Sequence, residues 1–526
     1  MTAISRPTRR GIARACVLLL GIIAATHLLR TALDAPETPA IIIAGLLYVG
    51  ALLAGFTQSS GARRRSYIPW LAVPVVALSL WAASARLFGK FDVRASIYHL
   101  QHGIEYDGVG DDIAEFAVFL AVGVILIACV AFLARRNRRM RVAERVAAVL
   151  LVLINPIALY AADGVRGLME RTDLSEHYAD PSLIAPTAGV DPHNVVFIYL
   201  ESLEATFEAP EFGGVMDPLT ALSARGTRYH GVGEATDTGW TIAGIVASQC
   251  GVPMLSYGMI MRNRMKNIDT FLPGAHCLAD HLGAQGYATE FVGAGELAFA
   301  GKDSFFASHG YAVALGDADM RRLRPGAPRG RWGVYDDTLL DVALERWERL
   351  DAADRPYLLS VLTLGAHAPE GYAAPGCERI VPDPAPVDPT LLSVACTAQL
   401  VAQMLDTARQ RGWLDDTLVV VMSDHLAHGN TQTARLKNRQ RENFVLFLDP
   451  DGRTGDVAVE ATPLDIFPTV LERLGHADAQ AAGLGRSLDT TESLRSTLQR
   501  PTLDAAIRRD NALRSRLWGV GEADGG

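Results

Sequence analysis

Asn194–Leu200 reads NVVFIYL, and Glu201 follows it directly. An unbroken apolar run rich in β-branched and aromatic residues predicts a strand buried on both faces. Similar runs recur at 289–293, 357–363, 417–422 and 443–448. Helical patterns lie between them, at 240–249, 277–285, 336–349, 391–411 and 463–474. Strands alternating with helices predict an α/β domain, its largely parallel central sheet covered by helices on both faces. Ligands of such sheets bind beyond the carboxyl ends of the strands. That edge receives Glu201 after the first strand, His367 just beyond 357–363, and Asp424 and His425 after 417–422. Thr241 lies elsewhere, at the start of the 240–249 helix, after the turn-like sequence TDTG at 236–239.

Before this pattern the chain is different. It has 526 residues, 49% hydrophobic and 20% charged, and the apolar excess falls almost entirely in the first third. Five apolar stretches, 15–33, 39–56, 67–85, 116–134 and 146–162, each approach the length of about 20 residues that crosses a bilayer as a helix. The first resembles a signal peptide, but four more spans follow without a convincing cleavage site, so it is expected to be retained. Arg6, Arg9, Arg10 and Arg14 precede the first span. Arg63, Arg64 and Arg65 separate the second from the third, and Arg135, Arg136, Arg138, Arg139 and Arg141 the fourth from the fifth. These alternate segments are expected to face the cytoplasm, which puts everything after residue 163 outside. The external segment at 86–111 is amphipathic, and reads equally as a membrane-interface segment or as an ordinary long loop. The net charge of −9 argues against a nucleic-acid binder.

Cys250, Cys277, Cys377 and Cys396 all fall in the external part, where an even count suggests two disulfides. Four cysteines allow three pairings; the sequential one, Cys250–Cys277 and Cys377–Cys396, closes short loops and is the expected one. The domains expected are 1–163 (transmembrane, five helices), 164–190 (linker), 191–490 (catalytic) and 491–526, a polar, peripheral extension.

A Glu, an Asp and a His converging with a hydroxyl form an oxygen/nitrogen ligand set suited to one divalent ion: Mn²⁺, Zn²⁺ or Mg²⁺. A metal can lower a hydroxyl's pKa and make it a nucleophile, and a helix N-terminus favours a phosphate. Each residue also has an ordinary reading: Glu201 or Asp424 as a surface carboxylate, Thr241 as a helix cap. Their shared edge is what favours the site.

The segments NVVFIYLESLEATF (194–207), TGWTIAGIVASQCGVP (238–253), FAGKDSFFASHGY (299–311), WGVYDDTLLD (332–341) and SDHLA (423–427) resemble the bacterial phosphoglycerol transferases of the alkaline phosphatase/sulfatase superfamily. The external cysteines fall in positions like that family's, and the five spans resemble the arrangement of lipoteichoic acid synthases. The resemblance implies Thr241 as nucleophile, with Glu201, Asp424 and His425 holding a single metal, most simply Mn²⁺, and the Thr241 oxygen completing its shell. It implies that His367, in TLGAHAP, contacts the phosphoglycerol group, and it places Lys302 and Trp332 near the donor. His428 has no counterpart there and reads as a surface histidine. Sulfatases proper carry a Cys or Ser within C/S-x-P-x-R; here Thr241-Ile242-Ala243-Gly244-Ile245 has neither the Pro nor the Arg, which disfavours sulfate-ester hydrolysis. The implied activity is transfer of phosphoglycerol from phosphatidylglycerol to a periplasmic glucan, at the outer face of a bacterial inner membrane. The alternatives are a phosphoethanolamine transferase, a lipid phosphodiesterase and a non-catalytic membrane sensor.

Overall fold

A computed structural model describes residues 174–519, apart from 190–191, 256–269, 384, 477 and 490–491, with Ala121 alone before them. The five apolar stretches, their Arg-rich flanks and the 86–111 loop otherwise lie outside the described residues.

The strands are β1 (Asn194–Leu200), β2 (Thr227–Val232), β3 (Ala288–Gly293), β4 (Val313–Leu315), β5 (Tyr357–Leu362), β6 (Thr417–Ser423), β7 (Val445–Leu448) and β8 (Gly455–Ala461). They form one sheet in the order β4-β3-β5-β1-β6-β7-β2-β8. β7 runs antiparallel to its neighbours β6 and β2; the other pairs are parallel. β1 is central and buried on both faces. Val196, Ile198 and Leu200 join a core that includes Trp347 and Val394. On the opposite face the Tyr199 hydroxyl bonds to Ser248 Oγ at 2.8 Å and accepts from Gln249 Nε2 at 2.8 Å. This two-sided burial explains the unbroken apolar run.

The principal helices are α1 (Thr241–Cys250), α2 (Leu278–Ala284), α3 (Lys302–Ser308), α4 (Asp336–Asp351), α5 (Pro389–Gln410), α6 (Ile466–Arg473), α7 (Leu494–Leu498), α8 (Arg500–Arg509) and α9 (Asn511–Leu517). α5 starts on Asp388, whose side chain accepts from Leu391 N, with Pro at its first position. Among the described residues α5 is the one helix long and apolar enough to cross a membrane, but 61% of its apolar window is buried in the domain. It is a core helix. The disulfides are Cys250–Cys277, joining the end of α1 to the start of α2, and Cys377–Cys396, pinning a loop to α5. This is the sequential pairing.

Three strands, β2, β4 and β8, lack the continuous apolar run of the others. β4 is short, β2 contains Arg228, His230 and Gly231, and β8 alternates between partly and fully exposed residues as an edge strand does. Two boundaries need correction. The stretch read as a linker is docked where it is described: Ala179 pairs with Gly483, and Leu174 N donates to Asp510 Oδ2 at 2.7 Å. The stretch read as a peripheral extension is part of the domain. Leu503, Ile507, Leu513 and Leu517 are buried, Trp518 Nε1 donates to Leu255 O at 2.9 Å, and Asp504 Oδ1 accepts from Thr236 N at 2.7 Å. Its many charges lie between widely spaced apolar residues and hid that stripe.

Candidate active site

Register builds the centre. β1 and β6 are parallel neighbours with Leu200 opposite Ser423, so the next residues, Glu201 and Asp424, leave the sheet side by side. Glu201, Asp424 and His425 are all buried, each with a ligand atom within 4.8 Å of the others. Ser202, at φ 55, turns the chain sharply here. Its N–H and that of His425 both donate to Asp424 Oδ1, at 2.9 and 2.8 Å. Asp424 Oδ2 is buried without a hydrogen bond and lies 3.4 Å from His425 Nε2. Glu201 Oε1 accepts from Ser202 Oγ at 2.8 Å and lies 3.4 Å from His425 Nε2. β5 supports the group from the other side, where Thr363 Oγ1 accepts from Glu201 N at 3.0 Å.

His425 Nδ1 lies 2.8 Å from the Leu426 carbonyl and donates to it, which leaves Nε2 directed at the two carboxylates. Burial and the adjacent Glu201 push the Asp424 carboxyl well up. Burial opposes ionisation of Glu201 too, but the His425 and His367 imidazoles hold it well below the usual range. Burial pulls His425 down, and the Asp424 and Glu201 carboxylates override it, to about 10. Two buried carboxylates, an orphaned carboxylate oxygen and an aimed imidazole nitrogen together call for positive charge, and this donor set fits a divalent cation.

The structure brings Thr241 to this cluster. Thr241 opens α1 after Trp240, which offers no side-chain cap. It is therefore the first helical residue rather than the cap, and its hydroxyl donates to Glu201 Oε2 at 3.2 Å. The N–H groups of a first helical turn have no intrahelical partner, so the hydroxyl sits among backbone donors. Gly244 makes this approach possible: a Cβ there would lie 1.8 Å from the Asp424 carbonyl oxygen. Gly244→Ala must push α1 away. We expect a stability loss of about 1–3 kcal/mol and a rate loss of about 100-fold, the scale of a 1 Å misplacement. Thermal melts and turnover check both; wild-type values in both would refute the close-packing role.

Lys302 is buried at the start of α3, after Ala300 and Gly301 at φ 60 and 72. Its ammonium donates to Phe299 O at 2.9 Å and lies 4.9 Å from the Phe299 ring centroid. Burial pushes its pKa down to about 8, against the pull of Glu201, Asp303, Glu296 and Asp424. His367 is half-buried, and Trp332 lies against it with ring centroids 4.6 Å apart. His367 is close enough to Glu201 to lower its pKa. Of the seven residues singled out from sequence, Glu201, Thr241, Asp424 and His425 are in contact, His367 and Lys302 act electrostatically with Glu201, and Trp332 packs on His367. His428 is not a surface histidine: it is half-buried and stacks on the His425 ring. Ser202, Thr363 and Gly244 were missed as well. Only Ser202 carried a signal, its place directly after Glu201.

Residues 193–476, more than half of the chain, match the family model described as Sulfatase. The chain is 35% identical over 431 residues to phosphoglycerol transferase I of Xanthomonas euvesicatoria pv. vesicatoria, covering 80% of this chain and 60% of that protein. It is 32% identical over 397 residues to phosphoglycerol transferase I of Salmonella paratyphi B, covering 74% and 50%. The chain thus spans about half to three fifths of these relatives. Among solved structures, an alkaline phosphatase superfamily protein from Vibrio parahaemolyticus is similar at 24% identity and a TM-score of 0.47, covering 63% of this chain and 78% of that one. With an α/β sheet that carries its polar cluster at the strand ends, and a family match running from β1 to beyond α6, the chain belongs to the sulfatase family.

Proposed function

We propose that the protein is a metal-dependent transferase that moves phosphoglycerol from phosphatidylglycerol to a periplasmic glucan through a covalent intermediate on Thr241. The observation that carries this reading is the Thr241 hydroxyl, at a helix N-terminus and 3.2 Å from Glu201 of the buried Glu201, Asp424 and His425 cluster. The name shared by the relatives, phosphoglycerol transferase I, supports the choice of transferred group.

A divalent cation at Glu201, Asp424 and His425, for which Mn²⁺ is the first candidate, would ease deprotonation of the neighbouring hydroxyl and offset charge on phosphoryl oxygens. Thr241 Oγ forms a bond to phosphorus as the bond to the diacylglycerol oxygen breaks, and the proton lost by Thr241 ends on diacylglycerol. His367 protonates that leaving oxygen or orients the group, with Trp332 packed beside it. Lys302 and the α1 N-terminus counter the phosphoryl charge. An acceptor hydroxyl then displaces Thr241 from phosphorus, and its proton returns to the Thr241 oxygen as that bond breaks, which makes the kinetics ping-pong. Purified protein with labelled phosphatidylglycerol, with and without glucan, tests the reading. Label on the glucan is expected; diacylglycerol release without glucan labelling would indicate a hydrolase, and no release a non-catalytic domain.

The substrate's location accounts for the membrane segments. Five spans with the N-terminus inside would hold the catalytic domain on the outer face of the inner membrane, at its lipid donor. A C-terminal reporter active only in the cytoplasm is expected to stay silent; activity there would refute the topology.

A further inference from the structure

His428 contacts His425 of the metal cluster and the turn that precedes Thr241. It leaves β6 on the same loop as His425, and its ring lies on the His425 ring with centroids 4.4 Å apart and 25° between planes. Its Nε2–H donates to the Gly239 carbonyl at 3.0 Å. Gly239 ends the turn that delivers Thr241, a turn already constrained by Asp237 at φ 60. The loop carrying both histidines is itself held: Leu426 N donates to Glu234 Oε1 at 3.0 Å, and Ala427 N to Glu204 Oε2 at 2.8 Å.

An imidazole binds a cation only through the in-plane lone pair of its nitrogen, so the tilt of the ring decides whether Nε2 points at the carboxylates. The hydrogen bond from Nδ1 to Leu426 O fixes the tautomer but leaves the faces of the ring unguarded. Stacking supplies that restraint on one face. The Gly239 carbonyl, for its part, has no side chain of its own residue to locate it. We propose that His428 is a positioning residue: its ring sets the plane of His425, and its N–H fixes the turn that places Thr241. This rests on reading Glu201, Asp424 and His425 as the metal site and Thr241 as the nucleophile.

Two substitutions separate the halves. His428→Phe keeps a flat ring and removes the donor; His428→Gln keeps an amide donor within reach of Gly239 and removes the ring. Each full-length protein is titrated with Mn²⁺ by calorimetry, and the diacylglycerol burst is timed at saturating Mn²⁺ with phosphatidylglycerol and no glucan. For His428→Phe we expect Mn²⁺ affinity within about threefold of wild type and a burst slowed about 10–100-fold, the usual scale for partners behind a ligand shell. For His428→Gln we expect affinity weakened about 10-fold or more and a burst largely retained. Wild-type affinity in His428→Gln overturns the role of the ring, and a wild-type burst in His428→Phe overturns the role of the donor. Losses that merely track a lowered melting temperature overturn both. Failure of the underlying reading looks different: the wild-type protein itself would bind no Mn²⁺, or would release diacylglycerol without a Thr241 adduct.

Discussion

Thr241→Ala is expected to lower phosphoglycerol transfer by about three to six orders of magnitude, the range seen when a catalytic nucleophile is removed. The Thr241 oxygen is the one protein atom of the proposed mechanism that bonds to phosphorus, and its hydroxyl donates to Glu201 Oε2. Folding should survive. The lost hydrogen bond contributes about 1 kcal/mol against a net stability of about 5–15 kcal/mol. Thr241 does not serve as the helix cap, so α1 loses little else. Thr241→Ser keeps the nucleophilic oxygen and should keep part of the activity. Mass spectrometry of protein incubated with phosphatidylglycerol and no acceptor should find a glycerophosphoryl group on Thr241. Near-normal turnover in a folded Thr241→Ala protein would remove the nucleophile assignment and the ping-pong scheme with it.

Asp424→Asn should abolish both metal binding and transfer. The amide oxygen can still accept from Ser202 N and His425 N, so the loop keeps its support. What disappears is the charge facing His425 and the orphaned Oδ2. Asp424→Ala is harsher, because it also strands two buried N–H donors at about 1–3 kcal/mol each. The contrast separates folding from ligation. A cation at one hundred times its Kd stabilises the folded state by about 2.7 kcal/mol, so Mn²⁺ should raise the melting temperature of the wild-type protein. Asp424→Asn should melt near the metal-free wild type and show no rise. A full Mn²⁺-dependent rise in that variant would exclude Asp424 as a ligand.

Local patterning along the chain was enough for the class of fold and one edge of the sheet. β1, β3, β5, β6 and α5 are long, strongly patterned and buried, so their apolar runs report tertiary burial directly. Because a strand's end is local information, Glu201, Asp424 and His425 were legible as residues leaving that edge, and the five membrane spans are predicted on equally local grounds. Tertiary structure alone decided what meets there. The Leu200–Ser423 register sets Glu201 beside Asp424, and no periodicity within either strand encodes a register between them. Gly244 lets α1 lie on the Asp424 carbonyl, which brings Thr241 from a helix that sequence placed elsewhere. His428, read as exposed, stacks on His425, and the charged C-terminal helices close over the turn before Thr241 through Asp504. Each of these is a contact between residues far apart in the chain or of unremarkable composition. Such contacts depend on distances of a few ångströms that only the packed fold sets, whereas an apolar pattern needs only to know which face is buried.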